Sequence, residues 1–265
     1  MDNFRLKAVL TVDNGDGISE ENQFILTYAV RLVDIDENVA IRQDKDLKIY
    51  YKEDAKIQYR YEIETKDVQV SLAEAVKKSE DFIRRLFYRL DWVQICVEAS
   101  GNVLSIGKIA DMREAWKEIK ESILTHYKGK VVVKRLEKID NEFADGKALI
   151  FSRKQYLHFG LLFPCIPKKH YNDWSRVREV GFSEYENEMF EEHLAYSGKS
   201  NEIRNYYITG KTLPGSKTEL LEFTGEIKTP ENELFPASAN VNFICNIGKI
   251  NIKWHINLEK IINKQ

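Results

Sequence analysis

Apolar and polar residues alternate with a period of two along most of this chain, the spacing that predicts strands. In NFRLKAVLTV, Phe4, Leu6, Ala8, Leu10 and Val12 share one side while Arg5 and Lys7 take the other. The turn-rich DNGDG follows, and QFILTYAVRLVDI then alternates through Phe24, Leu26, Tyr28, Val30 and Leu32. These two stretches are expected to pair antiparallel. LKIYYKED and KIQYRYEIET give a second pair, with Ile57, Tyr59, Tyr61 and Ile63 facing one way and Gln58, Arg60 and Glu62 the other. Alternation of this kind describes a sheet with one dry and one wet face.

The same period returns beyond residue 173. RVREVGFSE, EMFEEHLAYSG, RNYYITGK, ELLEFTGEIKT, NVNFICNI and KINIKWHINLEKI are six strand candidates separated by Gly, Pro, Asn and Ser, and CNIGK closes the last hairpin. In the final strand Ile250, Ile252, Trp254, Ile256 and Leu258 face one way, with Asn251, Lys253, His255 and Asn257 opposite.

Helical spacing is confined to the middle of the chain. SLAEAVKKSEDFIRRLFYRL predicts a helix over 71–90, with Ser71 as N-cap and Glu74 completing a capping box. DWVQICVEA and VLSIGKI read as strands joined by a turn. Asp111 then caps a helix running to Lys128, with Met112, Ala115, Trp116, Ile119, Ile123 and Tyr127 as its apolar stripe and Gly129 as a left-handed stop. KVVVKRLEKI reads as a strand, and residues 140–159 as one or two short helices. Pro164 and Pro167 make GLLFPCIPKKHYNDW a connector.

The apolar face of the later strands must be buried, and the only helices on offer lie between about residues 71 and 160. The expected fold is therefore α+β: a large, curved, mostly antiparallel sheet wrapped around two to three helices. It is read as one domain over 1–265, the competing division being strands plus helices over 1–160 and an all-strand meander over 173–265.

Charge narrows the functional classes. Lys and Arg number 40 against 42 Asp and Glu, a net charge of −2, whereas chains that live on nucleic-acid phosphates carry a basic excess. The two basic runs, Arg84-Arg85 and Lys168-Lys169-His170, read as solvated surface. No window reaches the roughly 18–20 apolar residues of a membrane span, and no secretory pattern opens the chain. Cys96, Cys165 and Cys245 are odd in number and far apart, which fits reduced thiols and a cytoplasmic location.

Candidate chemistry is sparse. Phosphate-cradling glycine loops are absent, as are paired Cys or His at metal spacing and a nucleophile elbow, so neither cofactor nor metal is expected. DNGDG has glycine where a calcium loop needs ligands, and Cys165, His170 and Asp173 sit in the proline-stiffened connector. Glu184, Glu186, Glu188, Glu191 and His193 read as a solvated edge. The strongest signal is aromatic: Tyr50, Tyr51, Tyr59, Tyr61, Tyr206 and Tyr207, with Arg60 and Arg204, are the residue types that dominate protein-binding hot spots. The leading expectation is a non-catalytic binding protein acting through protein–protein contacts, as an adaptor, an assembly component or a toxin-neutralising immunity-type partner. One alternative is a carrier of an apolar ligand or lipid held near Trp92, Trp116 and Trp254; another is a hydrolase assembled from His158, His170 and His193.

Overall fold

The computed structural model describes residues 10–12, 25–34, 39–53, 57–88, 92–98, 103–144, 160–162, 173–181, 188–233, 235–248 and 250–260. Along them run β1 (Leu10–Val12), β2 (Ile25–Asp34), β3 (Val39–Glu53), β4 (Ile57–Leu72), α1 (Glu80–Phe87), β5 (Trp92–Glu98), β6 (Val103–Gly107), α2 (Ile109–His126) and α3 (Lys130–Ala144). The second half supplies β7 (Ser175–Gly181), β8 (Met189–Ser200), β9 (Ile203–Thr212), β10 (Glu219–Pro230), β11 (Ser238–Ile247) and β12 (Ile250–Lys260). The DNGDG turn, most of residues 145–172, and Glu184 and Glu186 lie outside the described residues.

The fold is α+β. All its strands but β1 form one open sheet in the order β6-β5-β4-β3-β2-β12-β11-β10-β9-β8-β7, with every pair in that order antiparallel. The last strand returns to lie beside the second, with Ile256 opposite Leu32 and Leu258 opposite Val30. That pairing carries the sheet from one half of the chain into the other. A single apolar core then joins Ile63, Val93 and Ile95, Phe190, Phe223 and Phe243, and the helical Trp116, Ile123, Leu136 and Ile139.

Two assignments on the helices differ from expectation. Ser71 does not cap a helix: its backbone pairs with Ala40, and that of Leu72 with Val39, as the last rungs of the β3–β4 ladder. A 3-10 turn over Glu74–Ser79 follows, and only then α1, whose Glu80 carboxylate accepts the Leu72 N–H at 2.9 Å. KVVVKRLEKI is helix α3, not a strand. Three β-branched residues in a row imitate a strand locally, but Val132, Leu136, Ile139 and Phe143 recur at helical spacing and pack on the core. Val131, 85% exposed, is left in solvent, so burial of the longer stripe overrides the local propensity.

α2 begins two residues before Asp111, after Lys108 in a left-handed conformation (φ 57°) whose carbonyl accepts the Met112 N–H. Asp111 instead sits in the first turn, where the helix's positive end favours a carboxylate. Gly129, at φ 115°, divides α2 from α3, and its carbonyl accepts the Val133 N–H at 3.2 Å to start the second of them. β1 also departs from expectation, pairing parallel with β3 (Leu10 opposite Ile49) rather than antiparallel with β2. Both sides of β2 are already taken, by β3 and β12.

Within the second half, Phe190, Phe223 and Phe243 meet edge to face at centroid separations of 5.0–6.5 Å. The Phe223 ring covers Gly210, where an added Cβ would fall 1.7 Å from a ring carbon. Gly210→Ala is therefore expected to destabilise the protein by about 1–3 kcal/mol through overpacking. Urea unfolding measures it, and adding Phe223→Leu should recover part of that loss; strictly additive effects would contradict the contact.

Candidate functional site

Two groups of charged side chains stand out from the sheet, one interior and one open to solvent. The interior group follows from strand parity. On β7, Arg176 and Arg178 share the buried side with Val180; on β8, Glu192 shares it with Phe190 and Leu194. Arg178 donates to Glu192 through Nε (2.8 Å) and Nη2 (3.0 Å), and Arg176 Nη1 lies 3.0 Å from the same carboxylate. All three are buried, Glu192 completely. A carboxylate shared by two guanidiniums in a dry interior holds β7 to β8 and fixes their register, because a one-residue slip of β7 would turn both arginines away from Glu192.

The open group lines a cleft of about 740 Å³ between α1 and the β3–β4 pair, bounded by Ala40, Arg42, Asp67, Gln69, Arg84 and Tyr88 among others. Its floor begins with an electrostatic conflict. Asp44 and Asp67 stand directly opposite each other across β3–β4, next to a break in register at Asp44/Lys45. Like charges in that position repel. Arg42 relieves Asp44 with a bidentate pair, Nε to Oδ1 at 2.6 Å and Nη2 to Oδ2 at 2.9 Å, and Gln69 Nε2 donates to Asp67 at 2.9 Å.

The wall is α1. Asp81 accepts from Arg84 and, on the same helix, from Arg85 Nε at 2.7 Å; Tyr127 of the α2–α3 junction donates to it at 3.2 Å. Arg85 also reaches Ser122 Oγ, tying α1 to α2. Partial burial pushes the Asp81 carboxyl upward, but hydrogen bonds from Arg84 and Arg85, the charge of Arg85 and the Tyr127 hydroxyl hold it below the ordinary carboxylate range. Its contribution to stability is thus present above that range and lost as pH falls through the lowered value. Arg42 and Arg84 are held protonated above the usual guanidinium value. The main cause is each one's hydrogen bond to its own aspartate; burial opposes it, and the charge of Asp67 reinforces both.

The resulting surface is polarised. The side chains of Arg42 and Arg84 are 46% and 48% exposed, while that of Asp44 is 3% exposed. Arg42 faces the solvent with its carboxylate buried beneath it, and Arg84 does so beside a partly exposed Asp81. Among the described residues, the cleft lining holds neither imidazole nor thiol.

The residues expected to form a Tyr/Arg surface are distributed otherwise. Tyr61 and Tyr206 are core residues, and Arg204 is buried with Nη2 donating to the carbonyl of Glu233 at 2.5 Å. Tyr206 meets Trp174 and Tyr196 edge on at 5.6 Å, and burial raises its phenol pKa. Tyr207 alone is exposed among those whose side chains are described, on the opposite side of β9. The backbones of Tyr50, Tyr51, Tyr59 and Arg60 lie in β3 and β4, but their side chains are outside the described residues. Arg42, Gln69 and Tyr88 went unnoticed in the sequence; Arg84 was marked there as half of a basic pair.

Of the other sequence candidates, Trp116 is buried, with Nε1 donating to Asp140 at 2.8 Å, and Trp254 is partly buried against the core. The Trp92 side chain, Cys165, His158 and His170 lie outside the described residues. His193 is exposed on the outward side of β8, and the neighbouring Glu191 pairs with Lys211. Among the described residues no group of three His, Cys, Asp or Glu side chains could hold a metal ion, and no helix is long and apolar enough to cross a membrane. Comparison of the chain with protein-family models, curated proteins and solved structures found no match.

Two measurements test the charged and buried groups. Glu192→Gln is expected to cost about 3–5 kcal/mol in denaturant unfolding, since it removes the charge that both buried guanidiniums share; a loss below about 1 kcal/mol would contradict that role. Burial, helped by the charge of Glu188, pushes the Cys245 thiol from 9.0 up to about 11. A raised thiol pKa stabilises the fold fully below the unfolded value, and that share is lost as pH rises through about 9 to 11. Iodoacetamide at pH 8 should alkylate Cys245 only after unfolding; ready alkylation in the native protein would contradict its burial.

Proposed function

We propose that this protein is a binding module that docks a segment of another protein in the cleft between α1 and β3–β4. The observation that carries the reading is the pair of half-exposed guanidiniums, Arg42 and Arg84, each fixed by its own aspartate. Arginine and tyrosine are enriched in interface hot spots, and a side chain already immobilised loses little entropy when a partner arrives. The volume, about 740 Å³, is that of a site for a short stretch of chain rather than a broad, flat interface. The lining supports recognition more readily than catalysis: among the described residues that form it, Ser71 and the Tyr88 phenol are the hydroxyls, and neither imidazole nor thiol stands beside them.

A photo-crosslinking residue placed at Tyr88 should trap one discrete partner in the native host, and the same residue at the exposed Val131 of α3 should not. Identical crosslinking patterns at the two positions, or no adduct at Tyr88, would contradict the proposal.

A further inference from the structure

The cleft's polarity specifies the chemistry of its occupant, an inference that rests on the docking role just proposed. Arg42 spends Nε and Nη2 on Asp44, which leaves Nη1 outside that pair. Arg84 engages Asp81 through Nη2, leaving Nε and Nη1 outside it. Four carboxylates act on these two guanidiniums: Asp44 and Asp67 are buried, Asp81 is 36% exposed and Glu259 stands in solvent. An approaching ligand still meets the N–H donors of two guanidiniums that are each about half in solvent. Val70 and Tyr88 line the same cleft and supply apolar contact beside that charge.

We infer that the cleft takes an acidic peptide segment, one in which Asp or Glu carboxylates stand next to an aliphatic or aromatic side chain. The carboxylates would accept from the free edges of Arg42 and Arg84, in the planar geometry that suits guanidinium to carboxylate. The apolar side chain would lie against Val70 and the Tyr88 ring. Arg42 is held where it is, because moving toward the ligand would break both of its hydrogen bonds to a carboxylate that faces Asp67. The site thus receives its ligand without rearranging, and its affinity should fall with added salt because the charges at its mouth are half in solvent.

Selection from a random dodecapeptide phage library on the intact chain tests this. The expected result is enrichment of peptides pairing Asp or Glu with an apolar neighbour. Their affinity should drop about tenfold or more on Arg84→Glu and on Tyr88→Ala, and should weaken as salt rises. Arg84→Glu is suited to the test because Asp81 keeps Arg85 and Tyr127 as partners, and far-UV circular dichroism verifies the fold. Enrichment of neutral or basic peptides whose binding still requires Tyr88 would overturn the acidic-segment inference and leave the docking role standing. Peptides indifferent to both substitutions, or no enrichment at all, would overturn the two together.

Discussion

The pairing of β2 with β12 is the constraint on which the rest of the sheet depends. Strands β7 to β12 carry an apolar side, and among the described residues only a 3-10 turn at Gly160–Leu162, with Leu161 and Leu162 in the core, follows α3. A sheet cannot leave such a face in water. By hydrogen bonding the last strand to the second, the chain extends the face that α2 and α3 already cover, and one core serves both halves. The consequence is kinetic as well as structural. The contact that completes the sheet joins residues more than two hundred positions apart, so loop-closure entropy must be met before those strands gain their burial, a topology associated with slow folding.

Charge is handled in two opposite ways on this scaffold. At β7–β8, Arg176, Arg178 and Glu192 are withdrawn from water, where breaking the group is costly and where it enforces register more than it adds stability. At the α1 cleft Asp44 and Asp67 are withdrawn, Asp81 is partly exposed, and the arginines are left half in solvent. Exposed ion pairs contribute little to stability, so the outward guanidiniums are not explained by folding alone. Their bracing against Asp44 and Asp81 makes them rigid, which is the property a recognition surface needs. The proposed acidic-segment site is a reading of that asymmetry.

Much of the sheet was legible because period two survives from residue to residue. The six strands of the second half and the β3–β4 pair fall where alternation put them. What misled was local. Val131, Val132 and Val133 imitate a strand over three residues, and only the stripe out to Phe143 reveals the helix. Ser71 and Glu74 satisfy a capping box, but Ser71 is claimed first by Ala40 across the ladder, a partner thirty-one residues away. Parity divides part of the aromatic set: Tyr206 and Tyr207 are neighbours on a strand and face opposite sides, so these two do not share one surface. The same rule would have found the interior ion group, since Glu192 has the parity of Phe190 and Leu194, and Arg176 and Arg178 that of Val180. The cleft was largely hidden, because Arg42 and Arg84 are brought together by a strand register and a helix position that no local pattern encodes. Only the Arg84-Arg85 pair gave a trace of it.

Hydrogen exchange followed by mass spectrometry in rising denaturant tests the β2–β12 connection most directly. Peptides covering β2, β12, β4 and β10 should lose protection in one transition, with the β12 amides as protected as those of β11. Early, independent exchange of β2 and β12, or two transitions separating β3–β6 from β7–β11, would mean that the last strand does not join the halves.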